Sequence, residues 1–235
     1  MAKDVIVTAS RVKWWQLFGK KLKLTILLLL LLLIIIYIVL AFKMSNANFY
    51  VSIKDNDQLE SGMVIYESQN DPTPKRKLSA DNLQFMTNID MKWLPNNIGN
   101  EAEGSHNGDN YIAYTFYVEN QGSNIFNYWY EVVMDDVVKN VDEALRIMII
   151  INDQKTVYAK ANSLNGAPEK DTEAFLNNED GTVILKNRKN MTPGEMDKVT
   201  VVIWIEGPDP DCVNALIGGQ VKMHMNVTEE HINTK

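Results

Sequence analysis

Residues 24–42 read LTILLLLLLLIIIYIVLAF, nineteen residues without a charge, and no other stretch restricts the chain as strongly. At about 1.5 Å of rise per residue, a helix of this length spans roughly 28 Å, close to the hydrocarbon thickness of a bilayer. A core helix of a soluble domain keeps a polar face toward water, and this segment has none. The predicted element is a membrane helix. Flanking charge sets its direction. Lys3, Arg11, Lys13, Lys20, Lys21 and Lys23 precede it against a single acid, Asp4, whereas Lys43 and Lys54 follow it among Asp55, Asp57 and Glu60. The positive-inside tendency puts the N-terminus in the cytoplasm and residues 44–235 outside. Trp14 and Trp15 suit the headgroup level, and Lys20, Lys21 and Lys23 suit inner-leaflet phosphates, with Lys43 flanking the other end.

The same residues satisfy a second reading. A basic segment followed by an apolar run also defines an export signal, and Ser45 and Ala47 supply small residues three and one before a cut after Ala47. The run is long for such a signal and already matched to a bilayer, which favours a retained single-pass anchor. Both readings export the remainder. Residues 1–43 hold seven Lys/Arg and one Asp, a balance of +6, so the −7 of the whole chain leaves −13 on residues 44–235. An acidic surface of that size argues against nucleic acid or anionic lipid as a partner. Cys212 is the single cysteine, so no intramolecular disulfide forms. Small exported animal domains lean on disulfides, and a lone thiol points instead to a bacterial surface domain whose core suffices by itself.

Beyond the anchor, period-2 alternation dominates and predicts strands. Phe49, Val51 and Ile53 share one face of a first strand that also contains Tyr50. Further strands are expected over residues 63–66, 83–93, 111–119, 125–134, 145–151, 156–159, 182–185, 198–206 and 220–228. Short helical insertions are expected over 137–144 and 171–176, and surface loops over 68–81 and 96–110. Many strands, few helices and closely spaced turn residues favour an all-β, antiparallel jelly-roll or Greek-key β-sandwich preceded by one transmembrane α-helix, with a closed barrel as the alternative. The layout is a basic cytoplasmic arm over 1–23, the span over 24–42, a linker over 43–48, the extracellular domain over 49–228 and a polar tail over 229–235.

Catalytic chemistry is sparse. His106, His224 and His231 show no metal-ligand spacing, and neither HExxH nor GxSxG occurs. Cys212 lies beside Asp209 and Asp211 rather than beside a base that would activate it. No cofactor motif, metal set or small-molecule substrate is evident, and the chain reads as a non-enzyme. Lys54-Asp55-Asn56-Asp57 and residues 206–211 are acidic, yet neither follows an EF-hand spacing, and Asp and Pro form turns unaided. Pro208, Asp209, Asp211 and Cys212 nonetheless mark the most distinctive loop, a possible partner contact. The aromatics of YIAYTFY and FNYWY read as core on one face and cross-strand pairs on the other.

Three segments carry a family likeness. They are Ala41-Phe42 with Ala47-Asn48-Phe49, then Tyr114 to Ser123 with its Asn-x-Gly turn, and finally Thr192-Pro193-Gly194-Glu195 followed by residues 199–204 and 219–227. In these the chain resembles the TasA/camelysin group of Gram-positive surface and biofilm-matrix fibre proteins. The resemblance implies a jelly-roll-like domain able to assemble by strand exchange. An unpaired first strand, with Phe49, Tyr50, Val51 and Ile53, is the expected segment for strand addition to a neighbour. Camelysin-like members have been classed as metallopeptidases, but no catalytic motif carries over to residues here. The longer apolar run and extended arm depart from that pattern and suggest a tethered protein. The expected function is a single-pass cell-surface protein acting by protein–protein binding or self-assembly. The alternatives are a secreted fibre subunit, an accessory subunit of a membrane complex and, last, a secreted metallopeptidase-like enzyme.

Overall fold

The computed structural model describes residues 21–38, 48–54 and 62–231. The chain divides into two units, Met1–Asn46 and Ala47–Lys235. In the first, helix α1 runs Lys21–Ile38 and buries none of its side chains against protein. Its leucines and isoleucines are exposed on every side, which is compatible with a membrane span or a signal segment. Lys21 and Lys23 stand exposed in its first turn. Trp14, Trp15, Lys20, Lys43, residues 39–42 of the expected span and the cut after Ala47 lie outside the described residues.

The second unit is mostly strand, numbered here in chain order. One sheet has the order β10 (Thr182–Met191), β6 (Phe126–Val138), β12 (Gln220–His231), β1 (Phe49–Ile53) and β3 (Lys77–Ser79). The other runs β2 (Met63–Tyr66), β5 (Tyr111–Asn120), β11 (Met196–Ile205), β7 (Leu145–Ile151), β8 (Gln154–Ala159) and β9 (Glu173–Ala174), with β4 (Gly104–Ser105) on β5. Both sheets are mixed: β1 pairs parallel to β12 and β8 parallel to β9, and the other pairings are antiparallel.

Alternation puts one face of each sheet into a shared core. Phe49 and Val51 of β1, Tyr128, Tyr130 and Val132 of β6, and Met223, Met225 and Val227 of β12 join Ile112, Tyr114 and Phe116 of β5 and Val199, Val201 and Ile203 of β11. The β7–β8 hairpin turns through Asn152 and Asp153, both at positive φ (47° and 69°), the arrangement of a two-residue type I′ turn.

The seven-stranded sheet is buried on its other face as well. Met148, Ile150, Val202, Trp204 and Ala113 point away from the shared core and pack under Ile89, Leu94 and Ile98. This explains why β7 reads LRIMIII and β11 reads MDKVTVVIWI, nearly continuous apolar runs rather than alternating ones. The cover is a segment expected here as a strand. Residues 83–93 instead form a loop with one bridge, Ile89 to Glu206, and a 3₁₀ turn over Met91–Trp93, which leaves Phe85 and Trp93 in solvent. Alternation in that segment came from its crossing the domain with occasional anchors, not from a ladder.

Other expectations shift in smaller ways. Of residues 171–176 none is helical, and Glu173–Ala174 form the short strand β9, because β8 offers an unpaired edge there. Of residues 137–144, the first two belong to β6 and only Val141–Ala144 turns, as 3₁₀. The polar tail begins later than expected, since Glu229, Glu230 and His231 continue β12 against β6, with Glu229 buried and accepting the Met63 N–H at 3.0 Å.

β1 brings Phe49 and Val51 into the core and is paired on both sides. Phe49→Ala should cost about 3–5 kcal/mol, read by urea unfolding of the full chain in detergent; an unchanged midpoint would show that β1 contributes nothing to the core.

Candidate functional site

Two places gather polar chemistry. The first is the end of the domain where β7 and β12 begin and β8 and β11 finish. Arg146, the lone charge in β7, points to the covered face, and its Nη2 donates to Asp209 Oδ2. The pair is sealed, with side-chain exposures of 5% and 0%. The other oxygen of Asp209 accepts the backbone N–H of Asp211 at 2.7 Å. Asp211 in turn accepts the hydroxyl and the N–H of Ser163, and these bonds hold its carboxyl below the usual aspartate range. Glu206 accepts the Trp204 indole N–H at 2.7 Å and the Met91 N–H at 3.2 Å. Asn88 donates to Cys212 Sγ at 3.4 Å.

These bonds pin three segments, 88–91, 160–172 and 206–214, into one rigid end. In the loop named from the sequence, Pro208 is exposed, Asp209 is buried, and Asp211 and Cys212 are half-buried; both acids take part in bonds within this end of the domain. Glu169, Asp209 and Asp211 bring carboxylate oxygens within 4.8 Å of one another. The guanidinium of Arg146 already supplies positive charge there. The missing signal was Arg146 itself, because a charge inside an otherwise unbroken apolar strand demands a buried partner.

The second place is the outer face of the five-stranded sheet along the β1–β12 seam. The Tyr50 and His224 rings stack at 5.0 Å, and Lys77 Nζ sits 3.7 Å from the Tyr50 ring centre. Burial and the nearby Asp135 carboxylate push the Tyr50 hydroxyl pKa up. Asp135 lies 2.9 Å from His224 Nδ1, and Asn226 Nδ2 lies 3.1 Å from Nε2. Because the amide donates to Nε2, the neutral ring carries its proton on Nδ1, toward Asp135. Ser52 gives its hydroxyl proton to Asn226 Oδ1 at 2.7 Å, not to the histidine. The row resembles a relay but presents no hydroxyl to His224. What it does is tie β1 to β12 through side chains as well as backbone.

The strand segment named from the sequence therefore has a defined place. Phe49 and Val51 are in the core, and Tyr50 and Ile53 are half-buried. β1 is not an unpaired edge: it lies between β12 and β3, with five residues in register on one side and three on the other. A cleft of about 390 Å³ also opens under the covering segment, with Met91, Leu94, Met148 and Ile150 as its apolar lining and Lys92 and Lys155 among its polar residues.

Neither a protein-family model nor a curated protein matches this chain. Among solved structures, the β-glucosidase from Kluyveromyces marxianus in complex with glucose aligns with 77% of this chain and 18% of its own, at 12% identity and a TM-score of 0.25. The selenomethionine-labelled form of that enzyme aligns over 74% and 18%, at 11% identity and a TM-score of 0.25. The chain spans less than a fifth of that enzyme's length, and a likeness this slight carries no argument about fold or activity.

The Arg146–Asp209 pair generates a direct test. Asp209→Ala strands a buried guanidinium and should cost about 3–5 kcal/mol in urea unfolding, whereas adding Arg146→Met should recover most of that loss. Equal losses in the single and double variants would show that the charge pairing is immaterial.

Proposed function

We propose that this is a membrane-anchored bacterial surface protein that acts by protein–protein binding or assembly rather than by catalysis. The observation that carries the reading is the pairing of a helix with no protein-facing side followed by a separate β unit with its own core. The basic arm faces the cytoplasm and the acidic β unit faces outward. We read the unit as a β-sandwich of jelly-roll type, a reading supported by two sheets that share a core and by a chain that passes repeatedly between them, as at β5 to β6 and β11 to β12. A secreted fibre subunit, produced by cutting after Ala47, is the second reading, favoured by β1 beginning two residues beyond that position.

The N-terminal sequence and mass of the mature protein from membrane and culture-supernatant fractions separate the two. An intact chain in the membrane is expected; a chain starting at Asn48 in the supernatant would overturn the anchor and make the fibre subunit the leading reading.

Assembly by exchange of β1 has its own test. Ser52 and Asn226 face each other across the seam, so Ser52→Cys with Asn226→Cys, in a Cys212→Ser background, should lock β1 to its own β12 when oxidised. Locked protein should insert in the membrane normally yet remain monomeric by cross-linking, and reduction should restore oligomers. Oligomers indifferent to the lock would exclude exchange.

A further inference from the structure

In the β unit, five of the described large apolar side chains are more than half exposed: Phe85 (86%), Trp93 (73%), Leu164 (87%), Val213 (52%) and Ile217 (70%). They are not scattered. Leu164 sits on the loop that leaves β8, next to Ser163, whose N–H and hydroxyl both donate to Asp211, and Val213 and Ile217 sit between β11 and β12. Lys139, just past β6, donates to the Ile217 carbonyl at 2.7 Å, joining that turn to the same end. Trp93 closes the 3₁₀ turn whose Met91 is bonded to Glu206.

The chain enters the domain at this end too. β1 runs parallel to β12, with Phe49 opposite Met223, so its start lies beside the start of β12. Asn48 accepts the Met223 N–H at 3.1 Å and donates to the Asn82 side chain and the Leu83 carbonyl, two residues from Phe85. The opposite end of β6, thirteen residues away, is about 40 Å distant along the strand. Apolar tips and chain entry therefore share one end of a long domain.

We infer that these tips, chiefly Phe85, Leu164, Val213 and Ile217, form a lipid-contacting surface that seats the β unit on the membrane from which it is tethered. The inference rests on the anchored reading proposed above. The six residues 43–48 that follow the expected span reach at most about 20 Å, so the entry end is the part of the domain held near the headgroups. With −13 on residues 44–235, attraction to anionic headgroups cannot supply the contact. Apolar side chains entering the interface do, and the buried Arg146–Asp209 pair and the Ser163–Asp211 bonds hold the loops that bear three of the four tips.

The experiment uses the full chain with Cys212→Ser and one added cysteine, Leu164→Cys or Ile217→Cys at the tips or Ile125→Cys at the far end, each carrying a nitrobenzoxadiazole label. Each is reconstituted into phosphatidylcholine vesicles with or without doxyl-labelled lipid. The expected result is blue-shifted emission at both tips that doxyl lipid quenches severalfold more than at position 125. Integrated protein whose tips report water, as position 125 does, overturns the inference while leaving the anchor intact. A blue shift without doxyl quenching overturns it in favour of contact with a second protein copy. Chain that alkaline carbonate strips from the vesicles refutes the anchor itself, and the seating with it.

Discussion

The parallel pairing of β1 with β12 is the constraint around which the domain is arranged. It joins the first strand to the last over five residues and places β1 between β12 and β3. Phe49 and Val51 then face the shared core, while Tyr50 and Ser52 face outward to His224 and Asn226. Parallel pairs need a long return of chain between them, and here that return is nearly the whole domain. Closing so large a loop is entropically costly, and the cost is offset by everything that folds within it. The same pairing decides that the chain enters beside the turn before β12, at the end carrying the pinned loops.

A second feature follows from burying the seven-stranded sheet on both faces. Once residues 88–98 cover Met148, Ile150 and Trp204, any polar group on that face must be satisfied internally. Thr115 and Thr200 meet at 2.7 Å, and Arg146 finds Asp209. At the far end Asp197 does comparable work between the sheets. It is fully buried and accepts from Tyr128 at 2.8 Å, Asn152 at 2.6 Å and Arg188 at 3.0 Å. Each is an ionic group at an end of the domain, where strands stop and backbone donors run out. Their value is in fixing which loop meets which strand, more than in net stability.

The functional reading grows from the asymmetry of the two ends. One end has tight, polar turns: Asn120 is buried, with its amide on the Asn124 and Met191 carbonyls at 2.9 Å. The other has long loops braced by buried charge, and these expose leucine, isoleucine and phenylalanine. On the anchored reading proposed above, the end where the chain enters is the one that would meet lipid, and the opposite end is left for partners.

Much of this was readable from residue order. The uncharged run predicts a helix, found over Lys21–Ile38, because in an apolar medium every backbone group must bond internally. Period-2 alternation located the long strands, the last one included. Local pattern stopped where partners are remote in sequence. The three-residue β3 and two-residue β4 and β9 exist only because a neighbouring edge is available, and residues 83–93 lost their ladder because none was. Asp209 is held by Arg146, sixty-three positions away, a pairing that no short window of sequence shows. The sequence by itself determined an apolar helix and an acidic, strand-rich domain, since those follow from periods and charge within short windows. Only the tertiary structure decided that β1 lies within a sheet beside β12, that one sheet is covered on both faces, and that the exposed apolar tips gather where the chain enters, because each depends on contacts between segments far apart in the chain.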